Sequence, residues 1–335
     1  MRLIFYFPAL FFAYGLFSTT PVKKNATHIP IANNLVAEDT IIRIDADPKQ
    51  GFNYPYYLRL PKGLNTSVEQ FILVETNNTG NNDTLAFHDK GAYMTAKKNC
   101  LGASICRKLQ LPFLVPAFPR PAKEWQIYTH ALDRETALIK DGDMKRLDLQ
   151  LIAMIKNARA KLKELDIETR SKVFMNGFSA SGTFANRFTM IHPEWIAATA
   201  YGGINGILIL PVSSMSSRTL DFPLGIHDLK KLFGHDADLG TYKKVRQYIY
   251  MGGHDNNDAA KFDDAYSKKE RQLIYELLGK EMLPARFDKC RSIYENYGLN
   301  TIFKVYPNIG HETDMEVFND VVNFFQGIID QSPIK

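Results

Sequence analysis

A chain of 335 residues, with 45% hydrophobic and 23% charged side chains, has a globular composition and the length for one large α/β domain or two smaller ones. Its 41 basic and 36 acidic residues leave a net charge of +5, and Lys23-Lys24, Lys97-Lys98, Lys230-Lys231 and Lys243-Lys244 are only isolated pairs. That pattern excludes a polybasic nucleic-acid interface, and no segment after the N-terminus has the uninterrupted apolar length of a membrane span.

In chain order, Met1-Arg2, the apolar run Leu3 to Phe17 and the small polar Ser18-Thr19-Thr20 predict a secretory signal peptide over residues 1–18. The mature protein is then secreted or periplasmic. An uncleaved membrane anchor is the rival reading. Residues 19–38 read as an N-terminal arm, and residues 39–332 as a single domain. Asn25, Asn65, Asn77 and Asn82 begin Asn-x-Ser/Thr sequons, which matter only where the source glycosylates. Three cysteines allow one bridge: Cys100 and Cys106 are close enough in sequence to close a small loop, leaving Cys290 as a buried thiol.

Thr40–Ile44 and Tyr56–Leu60 read as a hairpin around the turn at Gln50-Gly51-Phe52-Asn53. Phe71–Val74 and Pro112–Pro116 are continuous apolar runs typical of strands buried on both faces. Leu147–Leu165 has a helical apolar period. A strand at Val173–Met175 then runs into a helix from Gly182 to His192. Further strands are expected at Ala197–Tyr201, Val245–Met251 and Thr301–Tyr306, and a last helix over about Asp314–Ile329. Alternating strands and helices predict an α/β fold: a mainly parallel twisted sheet with an antiparallel first edge and helices on both faces. Residues 203–244 carry too little strand pattern to extend the sheet. They are expected to form a cap-like excursion over its C-terminal edge that walls the site with Ile207–Leu210, Phe222 and Leu224.

Between the Val173–Met175 strand and its helix lies Gly177-Phe178-Ser179-Ala180-Ser181-Gly182. A strand that turns sharply into a helix around a serine is a nucleophile elbow, and the tight turn needs small neighbours, which Gly177, Ala180, Ser181 and Gly182 supply. Ser181 replaces the usual glycine. The competing reading is a turn whose serine merely caps the helix. A serine hydroxyl needs a base and an acid that orients it. His311, in Pro307-Asn308-Ile309-Gly310-His311 after the last strand, is the candidate base. Asp255, just past Gly252-Gly253, is the candidate acid, with Asp258 as runner-up. The backbone N–H of Ala180 and one from Asn77 or Asn78 are the candidate oxyanion donors.

At these residues the chain resembles a secreted α/β-hydrolase superfamily serine esterase. It is similar to the polyhydroxyalkanoate depolymerase-like and feruloyl-esterase-like branch over about residues 40–330. The segments carrying the likeness are Val74 to Gly80, Pro116 to Pro121, Tyr128 to Arg134 and Gly177 to Gly182. The resemblance implies ester cleavage through an acyl-enzyme, with no cofactor and a small-molecule or polymeric ester as substrate. Two alternatives stand beside it: a serine peptidase or amidase using the same machinery, and a catalytically dead scaffold that binds a ligand.

Phe178, His130 and Tyr201 are candidate substrate-binding residues. For His130, Asp133 and Arg134 together, a loop-locking salt bridge is the preferred reading. His227, His235, Asp236, Asp238, His254 and Asp255 show no tight metal-ligand spacing on one element.

Overall fold

The computed structural model describes residues 29–98, 100–204 and 206–332. The signal-peptide segment 1–18, the first part of the arm and the sequon at Asn25 lie outside the described residues. Eight strands form the main sheet: β1 (Thr40–Ile44), β2 (Tyr56–Leu60), β3 (Leu73–Val74), β4 (Phe113–Pro116), β5 (Val173–Phe178), β6 (Ile196–Gly202), β7 (Arg246–Gly252) and β8 (Thr301–Tyr306). Their spatial order is 1-2-4-3-5-6-7-8. Only β2 runs against its neighbours, pairing antiparallel with both β1 and β4, while β3 to β8 form parallel ladders with their neighbours. The expected strand at Phe71–Val74 contributes only Leu73–Val74 to the ladder.

Among the described residues ten α-helices surround the sheet: α1 (Leu85–Lys97), α2 (Leu101–Leu109), α3 (Arg134–Leu138), α4 (Leu147–Lys163), α5 (Ala180–Ile191), α6 (Leu229–Phe233), α7 (Leu239–Tyr242), α8 (Lys268–Leu277), α9 (Phe287–Asn296) and α10 (Met315–Asp330). Successive strand residues face opposite ways, so two cores form. On β5, Val173 and Met175 join one core and Phe174 the other; on β7, Ile249 and Met251 divide from Tyr248 and Tyr250 in the same way. The first core packs α4, α5 and α9 through Leu151, Ile155, Phe184, Phe188 and Tyr294. The second packs α2 and α10 through Ile105, Val321 and Phe325, with the Phe174 ring stacked on Phe71 and Phe325.

The excursion at 203–244 packs its apolar residues into the first core. Ile207, Leu208, Ile209, Leu210, Phe222 and Leu224 are all buried in the first core. The Asn186 side chain on α5 accepts from the Ile209 N–H at 2.9 Å, and the Tyr294 hydroxyl donates to the Ile209 carbonyl at 2.7 Å. These bonds tie the backbone of the segment to α5 and α9, and its apolar side chains fill the interior.

No disulfide joins Cys100 and Cys106. Both thiols are free, the Cys100 Sγ donating to the Thr95 carbonyl and the Cys106 Sγ to that of Leu111. Among the described residues no helix is long and apolar enough to cross a membrane.

Candidate active site

The parallel strands end on one edge, and three of their loops carry the site. Ser179 lies between β5 and α5 with φ +61° and ψ −126°, a backbone geometry that an L-residue holds only when its surroundings impose it. The surroundings do so here. A Cβ on Gly177 would stand 2.3 Å from the Ser181 carbonyl oxygen, and one on Gly182 would stand 2.8 Å from that of Gly202. The Ser179 N–H is held by the Gly202 carbonyl at 3.0 Å. Ser181, the departure from the usual glycine, has its own task. Its hydroxyl donates to the Phe178 carbonyl at 2.8 Å and accepts from the Phe178 N–H at 3.0 Å, closing the turn.

The Ser179 Oγ is 2.9 Å from the His311 Nε2, and the His311 Nδ1 is 2.8 Å from the Asp255 Oδ2. A carboxylate can only accept, so the Nδ1 carries the proton and the Nε2 presents its lone pair to the serine hydroxyl. The side chain of Asp255 is fully buried and its other oxygen accepts from the Asn257 N–H at 2.9 Å. The two loops meet closely. A Cβ on Gly252 would be 2.1 Å from the Gly310 carbonyl oxygen, so this glycine allows the acid loop to pack against the histidine loop. The Phe178 ring lies against His311 with centroids 4.8 Å apart, and a Cβ on Gly203 would stand 2.7 Å from that ring and 3.0 Å from the imidazole. Asp258, the alternative acid, is engaged elsewhere. It forms a buried bidentate pair with Arg286 at 2.8 and 3.0 Å.

Ala180 begins α5 directly after Ser179, so its N–H has no acceptor within the helix. The 77–82 loop comes to the same place: the exposed Asn78 donates from its Nδ2 to the Phe178 carbonyl at 3.4 Å. The buried Asn77 instead braces the loop, accepting from the Phe118 N–H at 3.0 Å and donating to its carbonyl at 2.9 Å. The Nδ2 that a glycan would occupy is thereby in use.

His130 is fully buried and its Nε2 donates to the same Phe118 carbonyl at 2.9 Å. Burial pushes its pKa down to about 3, which keeps it neutral. It braces the loop. Arg134 pairs with Asp228 at 2.8 Å rather than with His130 or Asp133 as expected, and Asp133 caps α3 through the Thr136 N–H. Tyr201 also lies away from the site, fully buried with its hydroxyl donating to the Gln247 Oε1 at 2.6 Å. A β-strand residue next to a glycine pair is as readily a core residue as a lining one, and its side of the sheet decides. Among the described residues no cluster of histidine, cysteine, aspartate and glutamate side chains is arranged to hold a metal.

Two features were not read from the sequence. Glu75, at the end of β3, is fully buried, with the Asn176 Nδ2 at 2.5 Å from its Oε2. Burial raises its pKa to about 7, against the lowering effect of the Asn176 bond and the Gly102 N–H. Its spacing carries no motif, and only the fold shows it. The second is a small cleft beside the elbow, lined by Tyr128, Ala131, Ala180, Thr183, Ala259 and Ala265. A larger groove of about 600 Å³ runs between α2 and α10 and includes Thr313 and Asp314, just after His311.

The strand order 1-2-4-3-5-6-7-8, the single reversed strand β2 and the elbow after β5 define an α/β-hydrolase fold. One solved structure agrees. Poly(aspartic acid) hydrolase-1 from Sphingomonas sp. KT-1 superposes with a TM-score of 0.52 at 13% identity, covering 88% of this chain and 99% of that one. An S-formylglutathione hydrolase from Agrobacterium tumefaciens gives 0.47 at 10% identity, covering 91% and 98%. Est1E from Butyrivibrio proteoclasticus gives 0.45 at 13% identity, covering 87% and 99%. At these identities the likeness is one of fold. No family model and no curated protein sequence matches the chain.

Proposed function

We propose that the chain is an exported serine hydrolase that cleaves carboxylic esters through Ser179, His311 and Asp255. The observation that carries this reading is the unbroken relay from the Ser179 Oγ through both nitrogens of His311 to a buried carboxylate. In the reaction, the His311 Nε2 takes the Ser179 proton as the Oγ attacks the ester carbonyl carbon. Asp255 holds the imidazole in the required tautomer and balances the positive charge that develops on it. The carbonyl oxygen becomes an oxyanion that accepts from the Ala180 N–H and from an N–H of the 77–78 segment. Collapse of the tetrahedral intermediate expels the alcohol, which leaves with the proton from the His311 Nε2. A water deprotonated by His311 then attacks the acyl-enzyme, and the acid leaves with Ser179 restored.

Export rests on the charged, apolar and small-residue succession of residues 1–18. N-terminal sequencing of the mature protein checks it. The test of the chemistry is Ser179→Ala, assayed on a p-nitrophenyl ester beside the matching p-nitroanilide. Ester hydrolysis should fall by roughly 10⁴-fold or more with the fold intact. Retention of activity within about tenfold overturns the assignment, and a faster anilide in the native protein replaces the esterase with an amidase.

A further inference from the structure

We propose that Glu75 is a positioning residue that fixes the spacing of the two halves of the oxyanion hole through its side-chain bond to Asn176. The inference rests on the serine-hydrolase reading and adds a residue to it. The two oxyanion donors of that reading come from different strands: the Ala180 N–H follows β5, and the 77–78 segment follows β3. Their separation therefore depends on how the ends of β3 and β5 are held together. Backbone pairing joins Leu73 to Phe174 and Val74 to Met175, and then stops. The next residues in that register are Glu75 and Asn176, and there side chains take over. The Asn176 Nδ2 donates to the Glu75 Oε2 at 2.5 Å. Asn176 shortly precedes Ser179, and Glu75 shortly precedes Asn77, so this bond is the last tie before the two loops part. Farther out, the Asn78 Nδ2 reaches the Phe178 carbonyl at 3.4 Å, a longer bond from an exposed side chain.

Both side chains are buried, and the carboxyl is held from a third side. A Cβ on Gly102 of α2 would stand 2.1 Å from the Glu75 Oε2, so this glycine lets the helix close on the carboxyl, and its N–H donates to it. The other polar atoms nearby brace nothing: the Thr76 Oγ1, the Asn176 Oδ1 and the Tyr250 hydroxyl are buried without a partner among the described residues. A buried carboxyl is costly to desolvate, and apolar side chains of similar volume would pack the strand ends with less penalty. What they would not supply is a directed bond that fixes the distance between the two ends. Preorganised donors stabilise an oxyanion only when they stand at the position it will occupy, so that distance bears on the transition state more than on substrate binding.

The experiment measures kcat and KM on a p-nitrophenyl ester, and Ki for a small trifluoromethyl ketone, in the native protein, Glu75→Ala, Glu75→Gln and the double variant Glu75→Met with Asn176→Leu. The ketone adds to a serine nucleophile and places an oxyanion in the hole with no leaving group, so its Ki reads the donors directly. Outright loss of one oxyanion donor lowers kcat by about 10²–10³-fold, so a displaced donor should lower it by roughly 10–10²-fold. Glu75→Ala should show that loss in kcat and the same rise in Ki, with KM within about threefold of native. Glu75→Gln keeps an oxygen that accepts from the Asn176 Nδ2 and should restore both values to within about threefold of native. The double variant removes both partners of the bond at once, the milder change for the fold, and should be as slow as Glu75→Ala. It decides the matter should Glu75→Ala fail to fold. Native kcat and Ki in a folded Glu75→Ala or double variant overturns the inference, as does a Glu75→Gln as slow as Glu75→Ala. The serine hydrolase still stands in those cases, provided Ser179→Ala abolishes turnover. If Ser179→Ala does not abolish it, both fall.

Discussion

Two aspartates three residues apart in sequence have opposite tasks, and the reason is visible in what each touches. Asp255 directs one oxygen to His311 and the other to a backbone N–H, whereas Asp258 is consumed by the buried guanidinium of Arg286. Asp255→Asn should lower kcat by about 10³-fold or more because the imidazole tautomer is no longer fixed, with little change in stability. Asp258→Asn should do the reverse. It leaves the Arg286 charge buried without its counter-ion, at a cost of about 3–5 kcal/mol, readable as a lower urea midpoint with kcat of the folded fraction preserved. The opposite ranking would return the acid role to Asp258. That Ser179, His311 and Asp255 could meet was legible because each follows a strand that ends on one edge. Arg286 was not, since its partner lies 28 residues away and no local pattern announces a buried pair. The same holds for His130 and Tyr201, whose residue types suit a pocket but whose backbone positions turn them into the interior.

At the scale of elements, the oxyanion side of the site depends on how β3 hands over to the 77–82 loop. His88 on α1 ties that loop down, its Nδ1 2.8 Å from the Thr79 Oγ1 and its Nε2 donating to the Asn82 carbonyl at 2.9 Å. Glu75 anchors the strand end to β5 through Asn176. Its carboxyl has an ordinary value of 4.5 and a folded value raised to about 7 by burial. A raised folded value means that the native state keeps a proton the unfolded chain has lost. Its contribution is full below about 4.5 and disappears as pH rises through about 7. Glu75→Gln should therefore flatten the fall in Tm between pH 5 and pH 8, by roughly one to a few degrees relative to the native protein. A native protein and variant with parallel Tm profiles over that range would show that Glu75 does not titrate there. Helices α1 and α2 escaped the sequence reading. α1 buries only His88, Ala92 and Ala96, and such small side chains give little apolar period. In the 203–244 excursion the apolar residues announced burial, but composition says nothing about which surface a segment covers.

At the scale of the molecule, the sheet order and its two packed faces follow from features any reader of the sequence meets: apolar strands separated by helices, and a hairpin at one edge. What the whole fold adds is convergence. β5, β7 and β8 end together, and glycines at 177, 182, 203 and 252 let their loops approach to distances that a Cβ would forbid. The central claim is that this convergence makes Ser179 a nucleophile activated by His311. The most direct measurement is intact-mass and peptide analysis of the protein after exposure to a small alkyl fluorophosphonate, beside His311→Gln. The account predicts one adduct, on Ser179, formed rapidly in the native protein and slower by about 10³-fold or more in the variant. Absence of an adduct on Ser179, or equal labelling rates in the two proteins, would contradict it.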